Sequence, residues 1–328
     1  MTRCGWLAAL LCLGTGCSGP SRPAVGSSAE VVVWSTSDLA AEALLQVLAA
    51  PFGCGLRPEP AFQVERTLDP SRVTFARQAI VLASRQTDAP RSLHRLLPGS
   101  RWPPPDAIRV EVRRDLAARG QIVVLVSVPN TVGLEAQRGP IADAARESLE
   151  CAMRRRLRAE LVQDVVPAAA FGGRADLGFQ LQLPNSYDVR PAAAAWPEAV
   201  EFVRADPVRT LVVFWLDRSA ESPIPETDFA LGLLRDVVWR LHHDTLIENA
   251  TRTERARLGE YEALSVCTVW QNREEVCGGP LRTWFVHDAD RGRLYGIATA
   301  VCAPGRETAS GQRELHALAE TFRMGAHR

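Results

Sequence analysis

The stretch YEALSVCTVWQNREEVCGGPLRTWFVHDADRGRLYGIATAVC, residues 261–302, decides the fold class. Three runs rich in branched and aromatic residues, at 261–270, 281–286 and 294–302, are separated by polar segments too short to hold a helix. They read as consecutive antiparallel strands. Between the last two, Asp288 to Gly292 has the Asp and Gly chemistry of a hairpin turn. Gly278, Gly279 and Pro280 read as a second tight turn. Upstream, 200–203 and 210–216 read as strands. Residues 228 to about 247 read as a helix that turns Leu231, Leu234, Val238 and Leu241 inward. Downstream, 307–322 is a last helix.

The N-terminal half has the same mixture. A buried strand is expected at 30–34, then a helix capped by Ser37 or Asp38 and stopped near Ala50 by Pro51 and Gly53. Strands follow at 61–66, 78–84, 108–113 and 121–128. A long amphipathic helix at 139–166 carries Ile141, Ala145, Leu149 and Met153 on one face. Its Arg154, Arg155, Arg156 and Arg158 read as a solvated face, partly neutralised by Glu150, Glu160 and Asp164. Residues 167–173 read as a joint, and an alternating strand at 177–183 ends at Pro184. Because strands come in hairpin-like runs rather than in strict βαβ alternation, the expected class is α+β. Two domains, 30–166 and 174–324, are each expected to be a mainly antiparallel sheet with helices packed on one face.

The first sixteen residues have the parts of an export signal: a charged start at Arg3, an apolar run over 6–13, and small residues at Gly14, Thr15 and Gly16 before Cys17. That run is shorter than the roughly 20 residues a spanning helix needs. Leu13 to Cys17 resembles a lipobox, with Gly14 where leucine is usual, so Cys17 is expected to be lipidated and to become the mature N-terminus. An ordinary signal peptide cut between Gly19 and Ala24 is the other reading. Residues 18–29, almost all Ser, Gly, Pro and Ala, form with Cys17 a flexible lipidated tether over 17–29. The expected place is therefore the bacterial cell envelope, membrane-anchored and facing the periplasm.

Formal charge balances at zero over 328 residues, with 38 basic and 38 acidic side chains. No clustered basic excess suggests nucleic acid as a partner. Every basic residue is arginine, and the absence of lysine excludes a Schiff-base lysine, a Walker lysine and a Ser-Lys dyad. After signal removal, Cys54, Cys151, Cys267, Cys277 and Cys302 remain, which in an oxidising envelope implies one or two disulfides and at least one thiol. No cysteine or histidine spacing suggests zinc.

Several stretches together resemble the bacterial envelope lipoproteins grouped as domain of unknown function 4837. They are GSSAEVVVW at the start of the body, LRPEPAFQVE over 56–65, ARGQIVVLVSVPN over 118–130 and LQLPNSYDV around Tyr187. Trp270 followed by Gly278, Gly279 and Pro280, and ATAVCAPG over 298–305, complete the set. The resemblance implies an envelope lipoprotein and no particular activity. Cys267, Thr268 and Val269 stand where relatives carry an Arg-Gly pair before the tryptophan, so no site built on that arginine is carried over. The second half also resembles small α/β sandwiches of the photosystem II P-protein type, a fold analogy.

His242, His243 and Asp244 on the predicted helix, with His287, Asp288 and Asp290 in a later turn, are the one constellation with acid/base or metal potential. Adjacent histidines project about 100° apart on a helix and cannot both face one ion, so no metal, cofactor or catalytic residue is assigned. Trp270 and Trp284 are candidates to wall a cleft. The expected function is a non-catalytic binding or support module for an envelope protein or glycan. The alternative is a hydrolase acting on an envelope polymer with carboxylates as acid and base. Counting outward from the 288–293 turn sets Cys302 across from about Gly279 and near Cys277. Those two are the candidate disulfide, and two thiols are the other reading.

Overall fold

The computed structural model describes residues 22–54, 59–84, 108–128, 130–162, 177–191, 196, 198–218 and 224–325. The signal, Cys17 and the 167–173 joint lie outside the described residues. The expected tether over 17–29 is corrected in its second part: residues 22–29 are tied to the body by backbone hydrogen bonds, among them Val25 N–H to the Phe75 carbonyl at 2.7 Å and Arg77 N–H to the Val25 carbonyl at 2.8 Å. The polar backbone of this segment finds these partners beside Ala76 and Arg119. The chain is α+β. Its N-terminal elements are β1 (Glu30–Ser35), α1 (Asp38–Ala49), β2 (Gln63–Arg66), α2 (Pro70–Phe75), β3 (Gln78–Ser84), β4 (Arg109–Arg114), β5 (Ile122–Val128), α3 (Thr131–Ala136) and α4 (Arg138–Leu161). Ser37 caps α1 by accepting from the Ala40 N–H, as its place before the apolar run predicts.

The strands form one five-stranded sheet in the order β2-β1-β3-β5-β4. Here the pairing departs from the antiparallel expectation. β1 runs parallel to β2 and β3, and β3 parallel to β5, while β4 alone is antiparallel. The cause is visible in the residues: EVVVW, QAIVLAS and IVVLVSV are continuous apolar runs, the mark of parallel strands covered on both faces. Val31, Val33, Ile80 and Val124 pack under Leu44 of α1 and Leu149 of α4. Val32, Trp34, Val81 and Val123 pack under Val73 of α2 on the other side. Helices therefore lie on both faces rather than on one.

The C-terminal elements are β6 (Phe179–Gln180), β7 (Asp188–Pro191), β8 (Ala199–Arg204), β9 (Val208–Asp217), α5 (Thr227–His242), β10 (Thr245–Leu246), β11 (Arg252–Leu258), β12 (Tyr261–Asn272), β13 (Cys277–Asp288), β14 (Arg293–Cys302), α6 (Ala309–Ala319) and β15 (Arg323–Met324). The main sheet has the order β10-β12-β13-β14-β9-β8-β7, with β11 also on β12, and its ladders are antiparallel. The 288–293 hairpin forms as read, with Asp288 paired to Arg293 and Gly292 at φ 59°. Gly278, Gly279 and Pro280 are not a turn: they lie inside β13, opposite Gln271, Trp270 and Val269. The reversal comes earlier, at 273–276, where Asn272 Oδ1 accepts from the Glu274 and Glu275 N–H groups.

Alternation along these strands makes two faces, each with its own helix. Leu211, Val213, Trp284 and Ile297 meet Leu315, Leu318 and Phe322 on the α6 face. Val212, Phe214, Val266 and Phe285 meet Leu234 and Val238 of α5 on the other. The sheet is sandwiched because both sets of alternating positions are apolar, so a helix on one face would leave the other set in water.

The N-terminal elements seat against the α6 face. α4 packs on α6, and Glu59 accepts from the Thr308 and Ala309 N–H groups at 2.8 Å, capping α6 from outside its own segment. Arg313 donates to the Ala61 carbonyl and lies over Phe52 and Phe62. Arg154 of α4 is drawn into this contact and Arg156 is held within the N-terminal part, while Arg155 stays exposed as the solvated-face reading expects. Arg154 reaches Glu320 at 3.3 Å, and Arg156 donates to the Gly120 carbonyl at 2.9 Å. No helix among the described residues is long and apolar enough to cross a membrane.

Candidate functional site

With the α6 face covered by the N-terminal elements, the α5 side carries two openings among the described residues, one of about 940 Å³ beside Trp196, Phe229 and Trp239 and a second that gathers titratable side chains at the end of α5. α5 ends at His242, where His243 takes the left-handed conformation and its N–H closes on Trp239 O at 2.8 Å. The helix therefore stops five residues before the predicted position 247 and leaves the ends of β8, β9, β13 and β14 uncovered. The small side chains Ala298 and Ala300 on β14 deepen the hollow that results. It is a cleft of about 630 Å³ whose floor includes Val203, Val212, Leu281, Ala298 and Ala300. That size and apolar character are those of small-molecule sites.

Polar groups stand on the rim at the helix end. His242 Nε2 lies 3.2 Å from Glu201 Oε1, and this hydrogen bond holds the imidazole pKa above its ordinary value against the opposing effect of burial. Asp244 is pushed up by burial, with the Asn272 hydrogen bond opposing. Asn272 ties the rim together: its Nδ2 donates to the His242 carbonyl at 3.0 Å and to Asp244 Oδ1 at 2.9 Å. The Cys277 and Cys302 thiols line the same end, where Cys277 is the cross-strand partner of Asn272. Both are free. Burial, followed by the neighbouring Cys302 thiol, pushes Cys277 up to about 12, so it stays protonated and is a poor nucleophile at neutral pH.

The structure divides the histidine and aspartate constellation. His242, His243 and Asp244 all line the cleft, and His243 also stacks edge-on against Trp239. His287 and Asp288 lie at the opposite end of β13, with Asp288 eleven residues from Cys277, or about 37 Å at strand rise. Asp288 there serves the hairpin, accepting from Arg291. Among the described residues no group of His, Cys, Asp or Glu is placed to hold a metal ion. Trp270 lines the cleft, while Trp284 is fully buried against α6. Glu201 and Asn272 were not singled out from sequence. A signal for Glu201 did exist, since it holds an inward position of the alternating β8 run AVEFVR.

The disulfide differs from the expected pairing. Cys54 is bonded to Cys267, with Cα atoms 5.5 Å apart, and Cys277 and Cys302 are not bonded to each other. Strand parity explains the choice. Cys267 has the parity of Ala263, on the α6 face, which is the side of Gln312, whose Oε1 accepts from the Cys54 N–H, whereas Cys277 and Cys302 share the parity of Leu281 and Ala298 on the α5 face. Cys267 and the other two thiols therefore sit on opposite sides of one sheet.

No family model matches the chain, and no curated protein matches it. Solved structures share parts of its shape. A protein from Bacteroides thetaiotaomicron is 10% identical with a TM-score of 0.31 over 45% of this chain and 46% of that one. This chain thus spans less than half the length of that protein. LpqN of Mycobacterium tuberculosis, described as involved in cell envelope biogenesis, is 14% identical with a TM-score of 0.30, over 45% of this chain and 86% of LpqN. The Ran-binding protein Mog1p of Saccharomyces cerevisiae is 11% identical with a TM-score of 0.29, over 47% of this chain and 92% of Mog1p. At such TM-scores these likenesses assign nothing to this chain.

Proposed function

We propose that the protein is a lipid-anchored module of the bacterial cell envelope that binds an envelope component in the α5-side cleft. The cleft carries the reading: an apolar floor of about 630 Å³ with a few convergent polar groups at one end is the form of a site that buries a ligand's apolar part and orients its polar part. The rim chemistry fits recognition. A His242 imidazole held towards its charged form by Glu201 stands at the mouth beside Asp244, the Asn272 amide is used up in fixing that rim, and Cys277 is held as a thiol. The anchor is Cys17, inferred from the export signal and the lipobox-like residues before it.

Native mass spectrometry of the full-length protein released from membranes tests the reading against Ala300→Trp, which fills the floor. A ligand mass carried by the unaltered protein and missing from the variant is expected. Equal adducts on both, or none on either, would contradict it.

One observation favours the hydrolase alternative. His242, Glu201 and Asp244 bring an imidazole and two carboxylates to one cleft end, with the His242 and Asp244 pKa values both raised. Release of product from isolated envelope polymer, lost in His242→Gln, would establish that reading in place of pure binding.

A further inference from the structure

We propose that Cys277 and Cys302 are a reversible dithiol whose oxidation to a disulfide draws in one end of the α5-side cleft and so regulates binding there. The regulatory half rests on the binding function just proposed, while the bridge itself does not. Both sulfurs are free, both line the cleft, and both lie on the same face of the sheet. The ladder of β13 on β14 pairs Leu281 with Ala300. Continued two steps, that register sets Cys302 across from Gly279, with Cys277 two residues further along. Such diagonal neighbours stand about 7–8 Å apart between Cα atoms, and a disulfide needs no more than about 6.8 Å. A bridge therefore requires the strand end to move inward by roughly an ångström.

Two features provide that movement. At Gly279 the strands approach so closely that a Cβ would fall 2.0 Å from the Val301 carbonyl oxygen, so glycine alone lets the two chains close up beside the thiols. The 273–276 turn ends at Val276, which is 86% exposed and held at φ 51°. This backbone region is unfavourable for a β-branched residue and is relieved when the turn shifts. Glu275, which lines the cleft and lies 4.0 Å from the Cys277 sulfur, would move with it.

The oxidant is an external disulfide, either a small one such as oxidised glutathione or that of a disulfide-donor protein. The Cys302 thiolate attacks one of its sulfurs, forming a mixed disulfide and releasing one thiol. Cys277, a thiol at rest, gives its proton to the departing thiolate as its sulfur bonds to that of Cys302, and the second thiol is released. In sum the two protein thiols give up two electrons and two protons, and the external disulfide takes them up as two thiols.

The test equilibrates the full-length protein in glutathione buffers of stepped potential, then applies acid quench, N-ethylmaleimide and a non-reducing peptide map. Hydrogen exchange over 270–302 and titration with the apolar probe 8-anilinonaphthalene-1-sulfonate are measured at both extremes. Expected are joint loss of labelling at Cys277 and Cys302 with a cross-linked peptide, slower exchange at 273–277, and a several-fold change in probe affinity, all abolished by Cys302→Ser. Absence of the bridge at every potential, or a bridge that leaves exchange and probe affinity unchanged, would overturn the proposal. Probe binding that Ala300→Trp does not weaken would instead count against the cleft as a binding site, while bridge and exchange still decide the dithiol.

Discussion

Cys54, in the segment after the first helix, is joined to Cys267 in the middle of β12, 213 residues further along the chain. This covalent tie lies beside the Glu59 cap and the Arg313 contact, so the N-terminal elements are stapled to the α6 face at three neighbouring points. Cross-linking so long a loop removes much denatured-state entropy, and its loss should cost about 3–5 kcal/mol by the chain-entropy account. Urea unfolding of Cys54→Ser, or of the reduced protein, should show a lower midpoint. An unchanged midpoint would mean that the bridge adds nothing to the packing around it.

Glu314 of α6 is buried among Tyr187, Arg204 and Arg209. It accepts from Tyr187 at 2.7 Å and Arg204 at 3.0 Å, and it forms an ion pair with Arg209. Removing one partner of such a cluster leaves a buried charge uncompensated. Glu314→Ala should therefore lose about 3–5 kcal/mol, and the double variant with Arg209→Met should recover part of it. A double variant less stable by the sum of the two single losses would show that the pair does not act as a unit.

Two histidines should pull the stability profile in opposite directions. Burial, with help from Arg282 and Arg154, lowers His316 to about 3. Glu320, at 3.6 Å, does not offset this because Arg154 already engages it. The stability His316 contributes by staying neutral is present above about pH 6.5 and is lost as pH falls from there towards 3. His242 is raised by Glu201, so its contribution is present below about pH 6.5 and fades as pH rises through its elevated pKa. His316→Gln should flatten the acid limb of a stability-pH curve, and Glu201→Gln the limb above neutrality. Curves superimposable on that of the unaltered protein would refute both assignments.

Much of the second sheet is legible in the sequence because its strands are local neighbours that alternate, so each hairpin fixes the next register. Even the register that pairs Leu281 with Ala300 follows from counting outward from the 288–293 turn. The parallel pairing of β1, β3 and β5 was also signalled, by apolar runs without alternation, but the hairpin-like order of the strands outweighed it. What the residues do not encode locally is non-local. The end of α5 depends on Asn272, thirty residues away, taking the His242 carbonyl. The partner of Cys267 depends on which face receives Cys54 and its neighbours after α1. The cleft arises where a short helix crosses small residues of a strand it does not adjoin in sequence.

The anchor has its own test. Replacing Cys17 by Ser should move the protein from the membrane fraction to the soluble one, and a fatty-acid analogue should label only the unaltered chain. A labelled Cys17→Ser variant, or an unlabelled native protein, would contradict lipidation at that position.

The central claim, that the α5-side cleft receives an envelope component, is tested most directly by a photo-crosslinking residue placed in living cells. One sits at Val208, which lines the cleft and is 42% exposed, and a control sits at Leu68, which is 79% exposed on the N-terminal part. A discrete cross-linked species at Val208, absent at Leu68 and lost when Ala300→Trp fills the floor, is the predicted result. Products that are the same at both positions, or that persist at Val208 with the floor filled, would contradict it.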